Sequence, residues 1–136
     1  MEGRPHKHLV LVLARELVSQ LVTPAFLVDA AGEVVYFNEA AEELVGYTFA
    51  EAGVLPAEAW TSLVRAEDSE GGSLTLEQLP AGIALAERRP AQRTLCITSS
   101  DGERRLISVT AVPLFASDGE LVGVLAVFWR DPATQA

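Results

Sequence analysis

Apolar residues recur along this chain at two spacings, helical near the start and alternating near the end. Between residues 7 and 22, Val10, Leu13, Leu17 and Leu21 fall near one face of a helix, and Leu9, Val18 and Val22 widen that face. Arg15, Glu16, Ser19 and Gln20 leave only a narrow polar side. So broad an apolar surface has to be covered by something. Thr23-Pro24 is expected to end the helix, because proline disfavours the helical conformation in the residue before it.

The next stretch, "FLVDAAGEVVYFNEAAEELVGY" from Phe26 to Tyr47, reads as a hairpin running into a helix. Strands are predicted over 25–29 and 33–37, with Asp29 and Gly32 supplying the turn. Asn38 is placed as the helix N-cap, and Glu39, Glu42 and Glu43 sit near the positive end of the helix dipole. These carboxylates are expected on a solvated face. Adjacent Glu42 and Glu43 point about 100° apart, so they cannot form a facing acid pair. Gly46 fits the C′ position that closes this helix. From Thr48 to Ser73 the pattern weakens into short helical turns, one with Pro56 in its first turn, and a flexible loop over 67–73. The glycine pair in that loop lacks the Lys-Ser/Thr of a phosphate-binding loop. Residues 77–89 form another predicted helix, stopped by Pro90.

The last third reads as three strands joined by Asp-Gly turns. Over 93–99, Leu95 and Ile97 share one face, with Thr94, Cys96 and Thr98 on the other. Over 104–115, Ile107, Val109 and Ala111 oppose Ser108 and Thr110. The final run, "LVGVLAVFW" over 121–129, is apolar on both faces, as is "AFLV" over 25–28. A strand of that kind is covered on both sides, so these two are expected side by side at the centre of a sheet. Internal helices take one face. The N-terminal helix is the candidate cover for the other, in its own subunit or across a dimer.

With 136 residues, 49 % of them apolar, the chain fits one globular domain with a helical extension. A net charge of −9 disfavours nucleic acid and anionic membrane surfaces as partners, since both repel it. The single cysteine, Cys96, excludes an intrachain disulfide and points to a reducing, cytoplasmic setting. The apolar run from Leu9 to Ala14 is shorter than the core of an export signal. No stretch approaches the roughly 20 apolar residues that span a bilayer.

The order of elements, a hairpin, short helices, a longer helix and a three-stranded meander, resembles a PAS domain, the sensory module common in bacterial signal transduction. The residues that carry the resemblance are "FLVDAAGEVVYFNEAAEELVGYT", "LPAGIALAERRPAQ" and "SSDGERRLISVTAVPLFASDGELVGVLAVFWRD". The expected organisation is a helical extension over 1–22, a PAS domain over 23–131 and a tail over 132–136. The resemblance implies an α+β fold: a five-stranded antiparallel sheet in spatial order 2-1-5-4-3, helices on one face, and a pocket between them. PAS domains often close with an Asp-(Ile/Val)-Thr motif leading into an effector helix. Here Asp131 is followed by Pro132-Ala133-Thr134, and Pro132 hinders direct continuation as helix.

Cofactor chemistry can be tested residue by residue. A haem sensor of the usual kind needs a pocket-facing His on the long helix, and residues 77–89 contain none. His6 and His8 lie upstream in a start expected to be disordered or solvated, with too few companions for a metal site. A LOV-type flavin sensor needs a Cys in an Asn-Cys-Arg-Phe stretch before the long helix, which is missing. Cys96, on a strand, is expected to be an inert, at least half-buried thiol. No nucleophile with a positioned base is suggested, so an enzyme is not expected.

What remains is an apolar pocket. Its expected walls are Leu79, Ile83, Leu95, Ile97, Val109, Ala111, Val127 and Trp129, with Tyr36, Tyr47 and Trp60 as ring-bearing polar handles. The strand around Tyr36 is apolar throughout, so an outward Tyr36 is equally open, and ordinary core is the competing reading for every one of these residues. The expectation is a cytoplasmic sensor or interaction module that homodimerises through Val10, Leu13, Leu17 and Leu21. It would serve an effector domain or partner regulator and hold a small apolar ligand in its core. The alternative is a ligand-free dimerisation domain with a filled core.

Overall fold

The computed structural model describes the backbone of residues 4–130 and the side chains of residues 9–130. The expectations for His6 and His8 and for the tail from Asp131 onward lie outside the described residues. The chain runs α1 (Arg4–Ser19), β1 (Ala25–Asp29), β2 (Val34–Phe37), α2 (Glu39–Val45), α3 (Phe49–Ala52) and α4 (Ala57–Val64). A 3-10 turn (Leu76–Gln78) leads into α5 (Pro80–Glu87), followed by β3 (Ala91–Thr98), β4 (Arg104–Phe115) and β5 (Leu121–Arg130). The strands form one antiparallel sheet in the order β2-β1-β5-β4-β3. The two strands that are apolar on both faces are therefore paired at its centre, where both faces are covered.

Registry decides which residues share a face. Phe26 pairs with Phe37 and with Ala126, and Ala126 with Ala111. Side chains alternate along each strand, so these residues and their second neighbours face the helices. Ala25 and Leu27 point the other way and are equally buried, beneath α1. Val18 of α1 has no exposed surface, and Leu11 approaches within 3.2 Å of where a Cβ on Gly123 would stand. The N-terminal helix thus covers the outer face of its own sheet. No helix among the described residues is long and apolar enough to cross a membrane.

Local chemistry sets most boundaries and moves a few. Asn38 caps α2, accepting the Ala41 N–H at 3.0 Å, and Gly46 ends it in the left-handed conformation (φ 86°) that a side chain would oppose. Helix α1 stops at Ser19, ahead of Thr23-Pro24. Its end tightens into 3.1 Å bonds from Gln20 N–H to Leu17 and from Leu21 N–H to Val18, and the Val18 carbonyl also turns to the Asn38 amide. The helix expected over 77–89 is two elements, because Pro80 is the first helical residue of α5 and Leu79 before it is extended (ψ 149°). Arg88, at φ 58°, ends α5 before Pro90 is reached. Pro56 is likewise the residue before α4, not part of its first turn.

Aspartates organise the loops. Asp29, Asp101 and Asp118 each accept backbone N–H groups from residues two to four positions on, at 2.9–3.0 Å. The 67–73 loop, expected to be flexible, is built the same way: Asp68 accepts Glu70 and Gly72 N–H groups at 2.9 and 2.8 Å. Glu67 and Cys96 exchange both backbone bonds and tie this loop to the free side of β3. The Asp68 carboxyl is held below the usual range by the Gly72 and Glu70 N–H donors. That of Asp101 is held down by the Ser99 hydroxyl and then the Glu103 N–H.

Candidate functional site

The inner sheet face and helices α2, α4 and α5 bound a cavity of about 60 Å³. Of the residues expected in its walls, Trp60, Leu79, Leu95, Ile97 and Val109 are brought together there. Ala111 is buried in the same core without reaching the cavity. Tyr47 packs half-buried against the core, and Ile83 lies half-buried on α5, where Pro80 and Ala81 reach the cavity instead.

Three residues expected at the pocket lie on the other side of the sheet. Phe128 lines the cavity, so its neighbours Val127 and Trp129 point outward, and Trp129 is 41 % exposed. Strand β5 is apolar on both faces, and only its pairing with β1 selects which alternate set turns in. Tyr36 also lies outside. It pairs with outward Leu27, and the Arg15 guanidinium stands 4.6 Å from its ring centre.

The missed wall residues are chiefly Phe26, Phe128, Ile107, Ala126 and Val45. Ile107 shares its predicted face with Val109, so alternation would have found it; the Phe residues needed the register.

The cavity offers a ligand contact surface with no polar handle. Trp60 turns its N–H away, donating from Nε1 to the Gly32 carbonyl at 2.8 Å and so pinning α4 to the β1–β2 turn. Removing that donor while keeping a ring, as in Trp60→Phe, leaves a buried carbonyl unpaired. We expect a loss of about 1–3 kcal/mol, read as a lower urea midpoint with an unchanged slope. A smaller change would place water on the Gly32 carbonyl.

A second feature is polar, and the sequence indicated only part of it. Asn38, 1 % exposed, is more than a helix cap. Its Oδ1 accepts the N–H groups of Ala41 and Ala25 at 3.0 and 3.1 Å. Its Nδ2 donates to the carbonyls of Val18 and Thr23 at 3.0 and 2.9 Å, with Leu21 further off at 3.4 Å. One side chain therefore joins α2, β1 and the end of α1. Glu42, expected in solvent, is half-buried and accepts the Phe49 N–H at 2.7 Å, fixing the start of α3.

A third feature lies on α1. The flank carrying Leu11, Ala14 and Val18 is turned to the sheet, with Val10 and Leu21 half-buried at its margin. On the other side Leu9, Leu13 and Leu17 are 55 %, 59 % and 56 % exposed.

The family model described as PAS fold matches residues 18–131. Among curated proteins none matches the chain. Among solved structures, the PAS domain of Bordetella pertussis BvgS superposes with a TM-score of 0.61 at 20 % identity, over 92 % of this chain and 90 % of that one. The PAS domain of the fruit-fly ELK potassium channel gives 0.69 at 14 % identity, over 88 % and 95 %. That of nitrogen regulation protein NR(II) from Vibrio parahaemolyticus gives 0.61 at 18 %, over 88 % and 98 %. The sheet order, the helices on its inner face and the match over residues 18–131 lead to one conclusion: this chain belongs to the PAS fold family, the sensory modules of signal transduction.

Proposed function

We propose that this chain is a cytoplasmic sensory and interaction module that homodimerises through α1 and the adjoining outer sheet face, and so serves an effector domain or partner regulator. The observation that carries the reading is the stripe of Leu9, Leu13 and Leu17, spaced by four and each more than half exposed. The opposite flank of the same helix already has its packing partner, so this stripe is surplus to the fold of one subunit. The same stripe on a second copy matches it in chemistry and spacing, as a two-fold interface requires. Val112 and Trp129 add exposed apolar surface on the same side of the sheet.

In the core, the cavity suits an apolar ligand of a few heavy atoms. Its volume of about 60 Å³ compares with roughly 30 Å³ for a water molecule and several hundred Å³ for ordinary ligand pockets. We propose neither haem nor flavin there, and no enzymatic activity. A ligand favouring one core packing would shift the population of α1 arrangements, and with it the dimer. The small volume favours a second reading beside this one, a ligand-free dimerisation domain whose core is nearly filled.

Native mass spectrometry of the purified protein separates these readings. A dimer with added mass supports sensing by a retained ligand, a bare dimer supports the filled-core domain, and a bare monomer overturns homodimerisation. The interface itself is tested by placing charges on it. The double variant Leu13→Glu, Leu17→Glu is expected to raise the dimer dissociation constant by at least about 30-fold in sedimentation equilibrium, while the thermal midpoint of the monomer changes little. An unchanged constant would exclude the stripe as the interface.

A further inference from the structure

A continuous series of rings connects the cavity to α1 around the open edge of the sheet. Phe128 and Phe26 both line the cavity, with ring centres 5.2 Å apart. Phe26 stacks on Phe37 of the edge strand β2 at 5.1 Å, the planes within 16°. Phe37 meets Phe49 of α3 edge-on at 5.5 Å, and Phe49 meets Tyr36 edge-on at 5.3 Å. Phe37 and Tyr36 are adjacent on β2 and face opposite sides of the sheet, so Phe49 bridges them past the strand's edge. The series ends on the Arg15 guanidinium of α1, 4.6 Å from the Tyr36 ring centre and 5.5 Å from that of Phe49.

We propose that this series couples the packing of the cavity wall to the docking of α1, with Arg15 as the group that registers it. Three physical points support the assignment. Stacked and edge-on ring pairs depend on orientation, so a ring that turns loses contact energy with the next unless that one follows. A close-packed interior passes such displacements on instead of absorbing them. The bridging ring is also held from behind: the Phe49 N–H is bonded to Glu42, and Thr48 and Glu51 close a capping box around the start of α3. Beside the sheet-facing flank of Leu11, Ala14 and Val18, two side-chain ties hold α1. Asn38 grips the end of the helix, and Arg15, one turn earlier, grips the ring series. The second reaches the cavity through ring contacts between side chains, the first only through the backbone of α2 and β1. The use of this coupling in sensing rests on the core being the input, as proposed above. The coupling itself does not, and its test uses core substitutions without any ligand.

The experiment is amide hydrogen exchange on the full chain, comparing α1 amides from Val10 to Ser19 with those of β4 and β5. Phe26→Leu, which removes the ring linking Phe128 to Phe37, is expected to speed α1 exchange by about fivefold relative to the strands, and Arg15→Gln to do the same. The double variant should be no faster than the faster single one, because both release the same tie. In a Phe49→Leu background, Phe26→Leu should no longer alter α1. Ile107→Val, at a cavity-wall position outside the series, should leave α1 within about twofold of the wild type. If Phe26→Leu does not fold, Phe128→Leu takes its place in the same comparison. Multiplicative effects of the core and Arg15 substitutions, or an equal response to Ile107→Val, would overturn the proposal. Because no ligand enters, a bare mass spectrum would leave this result untouched, and a negative result here would leave a retained ligand intact.

Discussion

Replacing Asn38 with aspartate is expected to lower the thermal midpoint by about 10 °C, although the two side chains have the same shape. The reason is the direction of the hydrogen bonds. Oδ1 would go on accepting from Ala41 and Ala25, but the second oxygen would face the carbonyls of Val18 and Thr23, with Leu21 behind them, and have no proton to offer. The Val18 carbonyl would keep the Leu21 N–H, but that of Thr23 would lose its donor. An acceptor left unpaired costs about 1–3 kcal/mol, and a buried carboxylate held against carbonyl oxygens adds its own desolvation. A total of about 3 kcal/mol corresponds to roughly 10 °C for a domain of this size. The loss should shrink in acid. Burial raises the folded-state pKa of the new carboxyl above its unfolded value, so the deficit is full at neutral pH and diminishes as pH falls through the folded pKa. Calorimetry at neutral and acid pH measures both effects. A midpoint within about 2 °C of the wild type would mean that the Asn38 amide does not donate to these carbonyls.

Gly82→Ala is expected to destabilise the protein by about 3 kcal/mol, the reverse of the gain of about 1 kcal/mol that this change gives in an open helix. Gly82 lies inside α5, where its helical conformation suits any residue. What forbids a side chain is the neighbouring turn: a Cβ would stand 1.8 Å from the Leu76 carbonyl oxygen and 2.6 Å from its carbon. Both are backbone atoms of the 3-10 turn, so no side-chain rotation relieves the clash, and the turn or the helix has to shift. Leu79, Pro80 and Ala81 line the cavity between them, so the shift would also change the cavity's shape. Urea unfolding monitored by Trp fluorescence gives the number. A stabilised variant would show that the turn and α5 are further apart than the structure has them.

These two residues mark the limits of what the pattern along the chain conveys. Asn38 is legible as a cap because a cap is local: an amide three residues from its N–H partner, ahead of an acidic first turn. Its grip on Val18, Leu21 and Thr23 is not legible, since those carbonyls are 15 to 20 residues away and only the docking of α1 brings them to it. Gly82 shows no signal at all, because in a short apolar helix a glycine required by a neighbouring backbone looks like any other small residue. The cavity divides in the same way. Leu95, Ile97 and Val109 are readable from strands whose polar residues alternate with them. Phe128 and Val127 exchange their expected places because nothing polar on β5 distinguishes its faces.

Taken alone, the sequence determined most of the elements, their order and the family, and placed two strands at the centre of the sheet. Those properties follow from periodicity, turn residues and caps, whose physics acts within a few positions along the chain. Tertiary structure alone decided which face of β5 turns inward, what Asn38 holds, how rings from four elements meet, and which flank of α1 remains uncovered. Each of these depends on registry and docking between segments distant in sequence, where many arrangements share one pattern of apolar and polar residues and packing selects among them.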